Sequence, residues 1–214
     1  MRTVIYGSRP DGHAKVVAEL LAPAAGLDLV GLIDDFPDNV DHRIGELGVI
    51  GTSADLPQIA ARTAVRAAIL GFGAGRGRSA IAAALIDAGL TLPVLVHPRA
   101  LVAPSARLGP GCQVLPGAVV GPGAELGTGV LVNTGAIVEH DARLSDGVVI
   151  YSGAVLAGRV SVGVDVELGA GATVLPDVRI GARAAVGAGA TVTADVADGQ
   201  TVVGNPARPI RRAG

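Results

Sequence analysis

The sequence predicts two units of different class, an α/β domain over residues 1–95 and an all-β parallel β-helix with a short tail over residues 96–214. Two observations carry this. From Val96 to Ala197 the chain divides into 17 consecutive six-residue units, each opening on Val, Leu or Ile and each with Ala, Val or Cys in fifth place, as in VLPGAV, VNTGAI and LGAGAT. Before them, short apolar runs that end in glycine or aspartate alternate with helical patterns. A period of six suits neither a helix nor an ordinary strand, but it suits a three-sided coil with one unit per face.

The first unit reads in order as follows. Thr3 to Tyr6 forms a short strand that ends in Gly7, and a helical pattern runs from about His13 to Ala25. Leu29 to Ile33 is a second strand ending at Asp34 and Asp35, and Ser53 to Thr63 reads as a helix. Ala67 to Leu70 is a strand that runs into GFGAGRG, followed by a helix from Ser79 to Ala88 and a last strand from Leu92 to Val96. Alternating strands and helices imply a small parallel sheet with helices on its faces. Ligands of such sheets bind beyond the carboxyl ends of the strands, so the loops Gly7–His13, Asp34–Asp35 and Gly71–Arg78 are expected to converge on one crevice.

In the second unit, the large first residue and the small fifth residue of each hexad turn into a narrow prism, and glycine, common in second and fourth places, suits the tight corners. About six coils at roughly 4.8 Å spacing are expected. Composition agrees with a prism core of Val, Ala and Leu: 50% of residues are hydrophobic, only 2% are aromatic and Trp is absent. No stretch approaches 18 consecutive apolar residues, which excludes a membrane helix, and the N-terminus has no signal-peptide pattern, so a cytoplasmic protein is expected. Nineteen acidic residues against 17 basic ones leave a net charge of −2 without a basic stripe, which argues against nucleic acid as a partner. The single cysteine, Cys112, falls at an inward fifth place and reads as core.

The chemistry-bearing patterns are few. Gly7-x4-Gly12 is followed by His13 and Ala14 where a phosphate-binding loop needs Lys and a hydroxyl, so that reading is rejected. A glycine-rich turn leading into a helix can still offer N–H groups to phosphate, and Asp34 and Asp35 can accept hydrogen bonds from ribose or base. The repeat offers His97 and His140, seven hexads apart, which is too few for a metal site. Outward positions vary from Asn133 to Glu139 to Tyr151, unlike the flat ladders of a purely structural solenoid.

GHAKVV at 12–17, LIDD at 32–35, LVHPRALVAPSA at 95–106, VNTGAIVEHD at 132–141 and VVGNPAR at 202–208 together resemble the bacterial sugar O- and N-acyltransferases that join a Rossmann-like N-terminal domain to a left-handed β-helix of hexapeptide repeats. This family includes sialic acid O-acetyltransferases, UDP-N-acetylbacillosamine N-acetyltransferase and GDP-perosamine N-acetyltransferase. The resemblance implies the left hand, which periodicity alone does not fix. It further implies acetyl transfer from acetyl-CoA to the amine of a nucleotide-linked amino sugar, with a UDP-4-amino-4,6-dideoxysugar first in line and O-acetylation of a hydroxyl such as that of sialic acid as the alternative. A non-catalytic β-helix scaffold is the alternative of a different class.

By matching positions, the resemblance makes His140 the general base, supported by Asp141, where a relative has Glu, or by Glu139. It carries Asp11, Gly12, His13, Asp34, Asp35, Gly73 and Arg76 over as substrate contacts, and Gly158, Ala170 and Ala188 as acetyl-CoA contacts, with no metal; Asn133, on the coil before His140, reads from its own place as a substrate contact for a sugar hydroxyl or amide. It also implies a homotrimer with active sites between subunits. Two departures stand out: GSRPDGH is two residues longer than the family's first glycine loop, and Val149 replaces a cofactor-contacting histidine of a relative.

Overall fold

The computed structural model describes residues 1–10, 12–75 and 77–210. In the α/β unit, β1 (Arg2–Tyr6) leads to a helical segment that runs His13–Val16, widens into a π turn at Val17–Leu21 and ends at Ala22–Ala24 (α1). Then come β2 (Asp28–Ile33), β3 (Arg43–Ile44), β4 (Leu47–Gly51), α2 (Leu56–Thr63), β5 (Ala67–Leu70) and α3 (Arg78–Asp87). The sheet order is β3-β4-β2-β1-β5, parallel except for the β3–β4 pair. Leu21, Leu32, Ile5 and Ile69 fill one face, and Val4, Ile33, Leu56, Ile59 and Leu85 fill the other.

Two details differ from the sequence expectation. The β3–β4 hairpin lies where no strand was expected, because Leu47–Gly51 is only half-buried and lacks a continuous apolar run. The last apolar run also splits: Leu95–Val96 joins the solenoid, pairing with Gln113–Val114, while Thr91 makes a single bridge to Ala67.

From Leu95 onward the chain is a β-helix of two-residue strands, with each coil 18 residues long, as the pairs Val120↔Val138 and Val138↔Leu156 show. A first sheet begins with Leu95–Val96 and ends with an antiparallel hairpin of Thr201–Val203 and Arg208–Ile210. A second sheet stacks from Leu101–Val102 to Thr191–Val192, and a third from Arg107–Leu108 to Arg179–Ile180. The core consists of the first and fifth hexad places from Cys112 to Val196, as the repeat predicts. Burial pushes the Cys112 thiol up to about 11, so it is a core filler.

Glycine has two separate uses at the corners. Every sixth residue from Gly111 to Gly189 has positive φ, the left-handed conformation that costs a side chain about 1–2 kcal/mol. Asp141, Arg159, Asp165, Asp177 and Arg183 are the non-glycine members of that column. Second-place glycines answer to space instead: a Cβ on Gly163 would lie 2.5 Å from the backbone nitrogen of Ala182 on the next coil.

The two uses separate experimentally. Gly153, with φ 68° and open space around it, should lose about 1 kcal/mol on Gly153→Ala. Gly163→Ala must push coils apart and should cost more, about 2–3 kcal/mol. Denaturant midpoints of the two variants would check the order.

Candidate functional site

The α/β unit sits on the outward face of the first sheet. Leu95, Leu131 and Val149, with Leu115 beside them, share a core with α1, β1 and β2. Val149 is fully buried there, so it is a wall between domains. Polar ties complete the seam. Gly75 N–H donates to Glu167 Oε1 (2.7 Å), and the N–H and hydroxyl of Ser79 donate to Asp165 (3.0 and 2.9 Å), capping α3 from the solenoid. Arg78, with no exposure, donates through Nε to Gly129 O (2.6 Å) and through Nη1 to Phe72 O, with its guanidinium over the Phe72 ring. Burial lowers its pKa to about 10, which still leaves it charged at neutral pH.

Three loops meet at the carboxyl ends of β1, β2 and β5, as expected, around a cavity of about 610 Å³. Gly7, Gly12, His13, Asp34, Asp35 and Gly73 line it, joined by Tyr6, Phe36 and Phe72. In the longer first loop Gly12 N–H donates to Arg9 O (3.1 Å), and a Cβ on Gly12 would press on Arg9. The expected contacts Asp11 and Arg76 lie outside the described residues.

Asp34 and Asp35 have different jobs. Asp34 is buried, and its carboxylate accepts from the Ser8 N–H (2.9 Å) and hydroxyl (2.6 Å), the Phe36 N–H (3.0 Å) and the Asn39 amide (3.1 Å). Burial alone would raise its pKa, but these donors outweigh it and hold the pKa low. Asp34 therefore ties the first loop to the second. Asp35 is exposed at the rim, where it accepts from the Tyr6 hydroxyl (2.5 Å) and from Ser53. Burial and the Asp35 contact push the Tyr6 phenol above its usual range, so it stays a donor.

His13 opens α1, and its Nε2 lies 2.6 Å from the Gln113 Oε1 of the solenoid. Burial pushes its pKa down to about 4, with the Gln113 contact opposing and the Arg78 charge adding to the drop.

His140 stands at the corner between the second and third sheets, on the side of the prism opposite the α/β unit. Its side chain is 46% exposed, and Nδ1 lies 2.8 Å from Asp141 Oδ2. The shorter carboxylate thus reaches the ring, and Glu139 takes no part in this pair. Two glycines make room. A Cβ on Gly158, one coil above, would lie 2.5 Å from His140 Nε2, and one on Gly123, one coil below, would lie 2.5 Å from Asp141 Oδ1.

Asn133, Ala170 and Ala188 lie at another corner, between the first and second sheets. Within one chain the second sheet separates them from His140. Asn133 Oδ1 accepts from the Thr134 N–H (2.8 Å). Gln113, Arg78, Tyr6, Phe36 and Ser53 escaped the sequence reading. Only Gln113 left a signal there, as the polar member of the series Leu95, Gln113, Leu131, Val149 at intervals of 18. Among the described residues no group of three His, Cys, Asp or Glu could hold a metal ion, and no helix is long and apolar enough to cross a membrane.

No family model matches the chain, and no curated protein matches it significantly. Solved structures do. The chain is similar to perosamine N-acetyltransferase from Caulobacter crescentus, in a histidine-to-asparagine variant in complex with CoA and GDP-perosamine (34% identity, 99% of this chain and 97% of that chain covered, TM-score 0.91). It is also similar to the acetyltransferase domain of PglB from Neisseria gonorrhoeae in complex with acetyl coenzyme A (37% identity, 98% of each chain covered, TM-score 0.85). WeeI from Acinetobacter baumannii shares the fold (23% identity, 98% and 100% covered, TM-score 0.86). A hexapeptide solenoid with an imidazole–carboxylate pair on one corner and an α/β domain on the far face defines an acyltransferase of the hexapeptide-repeat class. Within that class the chain belongs to the bacterial sugar acyltransferases with a Rossmann-like N-terminal domain and a left-handed β-helix.

Because the His13 pKa lies below its unfolded value of about 6.5, the folded state binds fewer protons between those limits. Stability should therefore be full above pH 6.5 and fall toward pH 4, by no more than about 3 kcal/mol, whereas Asp34 and Asp35 contribute losses only below about pH 4. Urea unfolding at each pH would show this, and His13→Gln should flatten the upper part of the curve.

Proposed function

We propose that the protein transfers the acetyl group of acetyl-CoA to the amine of a nucleotide-linked amino sugar, with His140 as general base. The observation that carries this reading is the His140–Asp141 pair set between Gly123 and Gly158, on a scaffold similar to enzymes in complex with CoA and GDP-perosamine or with acetyl coenzyme A. Nδ1–H donates to Asp141, which leaves the Nε2 lone pair free beside Gly158. As the sugar amine attacks the thioester carbonyl, Nε2 takes its proton. The tetrahedral intermediate collapses, the C–S bond breaks, and the imidazolium returns the proton to the leaving CoA sulfur. Imidazole suits the task because one ring nitrogen can take a proton while the other donates to a carboxylate. Gly158 lets the thioester approach the ring, and Ala170 and Ala188 are small corners along which the pantetheine arm can lie.

The α/β crevice binds the nucleotide. The N–H groups of the first turn of α1 suit a diphosphate, since those of Gly7, Ser8 and Gly12 are taken by Ile33 O, Asp34 and Arg9 O, and Asp35 with Tyr6 presents polar groups at the rim. The crevice and His140 stand on opposite sides of one prism, so the site needs two chains. A homotrimer in the cytoplasm meets that need. Four of the six outward residues of the second sheet, Leu101, Val119, Ile137 and Val155, form an apolar stripe that ends in Thr173 and Thr191, while four of the five on the third, Arg107, Glu125, Arg143 and Arg179, are charged. Facing the apolar sheet toward a threefold axis sets the His140 corner of one chain against the Asn133, Ala170 and Ala188 corner of the next.

Thiol release from acetyl-CoA with GDP- and UDP-linked 4-amino-4,6-dideoxysugars tests the reading. Turnover should fall on the order of a hundredfold or more in His140→Ala, and near-normal turnover would overturn the base assignment. Acetylation of free sialic acid alone would overturn the amine acceptor. Gly158→Ala should displace the imidazole and lower kcat by a similar order, on a solenoid that still forms. Mixing inactive His140→Ala with an inactive crevice variant, Asp35→Arg, should restore partial activity, because some sites then combine an intact corner with an intact crevice. Continued inactivity of the mixture would place each site within one chain.

A further inference from the structure

A polar side chain in the outward series of the first sheet needs a reason, since its register neighbours Leu95, Leu131 and Val149 are apolar core. Gln113 is 1% exposed, and a buried amide costs free energy unless each end is hydrogen-bonded. Both partners come from the α/β unit: Leu70 O at the end of β5, 2.8 Å from Nε2, and the His13 ring, 2.6 Å from Oε1.

The chemistry of these partners leaves one arrangement. A backbone carbonyl only accepts, so the amide nitrogen of Gln113 must face Leu70. The amide oxygen is then left for His13, and an oxygen only accepts in turn, so His13 Nε2 carries a proton. The ring is neutral at physiological pH, since burial and Arg78 both disfavour its charge. A neutral ring protonated at Nε2 has a bare lone pair at Nδ1. His13 lines the crevice, and no protein group among the described residues meets Nδ1.

We propose that Gln113, a residue of the catalytic solenoid, is a positioning residue that locks His13 as its Nε2–H tautomer, so that Nδ1 accepts a hydrogen bond from a hydroxyl or N–H of the nucleotide-sugar ligand. This rests on the crevice being the nucleotide-sugar site. A phosphate oxygen has no proton to give at neutral pH and is repelled by the lone pair, so the position selects the ribose, base or sugar portion of the ligand. It also makes the shape of the crevice depend on the first sheet, since the amide ties α1 and β5 to the solenoid together.

Long-range proton–nitrogen NMR of the imidazoles at pH 7, with His13 assigned by its loss in His13→Asn, tests the tautomer without any ligand. Nε2 should be protonated and Nδ1 bare; a ring protonated at Nδ1, or at both nitrogens, overturns the proposal. Gln113→Glu keeps the shape but sets a carboxylate against the ring, which draws a proton onto Nδ1. The KM for the nucleotide amino sugar should then rise on the order of tenfold, with a smaller change in kcat and no change in the KM for acetyl-CoA. A KM for the sugar within twofold of wild type would overturn the ligand contact. If the wild type neither binds nor acetylates a nucleotide sugar, the functional reading falls and takes the ligand contact with it, while the NMR result still decides the tautomer.

Discussion

The narrowness of the prism governs the rest of the molecule. A coil of 18 residues has room inside for two aliphatic side chains per face, and the core from Cys112 to Val196 is built of Val, Leu, Ile, Ala and one Cys. All polar chemistry is therefore displaced to outward strand positions and corners. The three outward faces then diverge: the first is a bed for the α/β unit, the second is apolar over its first four strands, and the third is mostly charged. Function here is a matter of which corner a side chain occupies. Because coils stack at fixed spacing, a residue placed on a corner is held there by the coils above and below, as His140 is between Gly158 and Gly121.

The seam between the two units has the opposite character. It combines an apolar patch with buried hydrogen bonds from Arg78, Ser79, Gln113 and Gly75. Apolar contact alone would fix the register of the α/β unit weakly, since Leu95, Leu131 and Val149 offer similar aliphatic rows on different coils. Directional bonds to single coils, such as Asp165 to the start of α3, remove that freedom. The crevice loops are thereby held in fixed register with the coils that carry the rest of the chemistry.

How far the sequence disclosed this depends on the range of the interaction. The solenoid was legible almost residue by residue, because every unit repeats the same local constraint, and the convergence of the three loops followed from the alternation of strands and helices, which implies a parallel sheet. The β3–β4 hairpin was not legible, since its strands are half-buried and short. Nor were the duties of Asp34 and Asp35. As neighbours in LIDD they look alike, and only the fold shows that one is saturated by Ser8, Phe36 and Asn39 while the other stands at the rim. Arg78 read as the end of a glycine-rich loop, and its burial depends on Gly129, 51 residues away. Interactions between domains leave a trace in sequence only where they break a period, as Gln113 does.

The same logic explains why aspartate works at position 141. The fourth hexad place is left-handed, where glycine is the cheap residue and aspartate is among the better tolerated alternatives. Adjacent side chains rarely hydrogen-bond in extended backbone, because they point to opposite sides. At φ 58° the chain turns sharply after His140, which swings the carboxylate back to within 2.8 Å of Nδ1 despite its short arm. Asp165, at the same place one and a third coils later and likewise left-handed, uses the same swing to reach Ser79. Arg159 and Asp177 form a two-bonded pair up the corner column that starts at Asp141. At Asp141, Arg159, Asp165 and Asp177 the solenoid gives up its preferred glycine for a side chain that holds a partner, at a conformational cost of about 1–2 kcal/mol per residue.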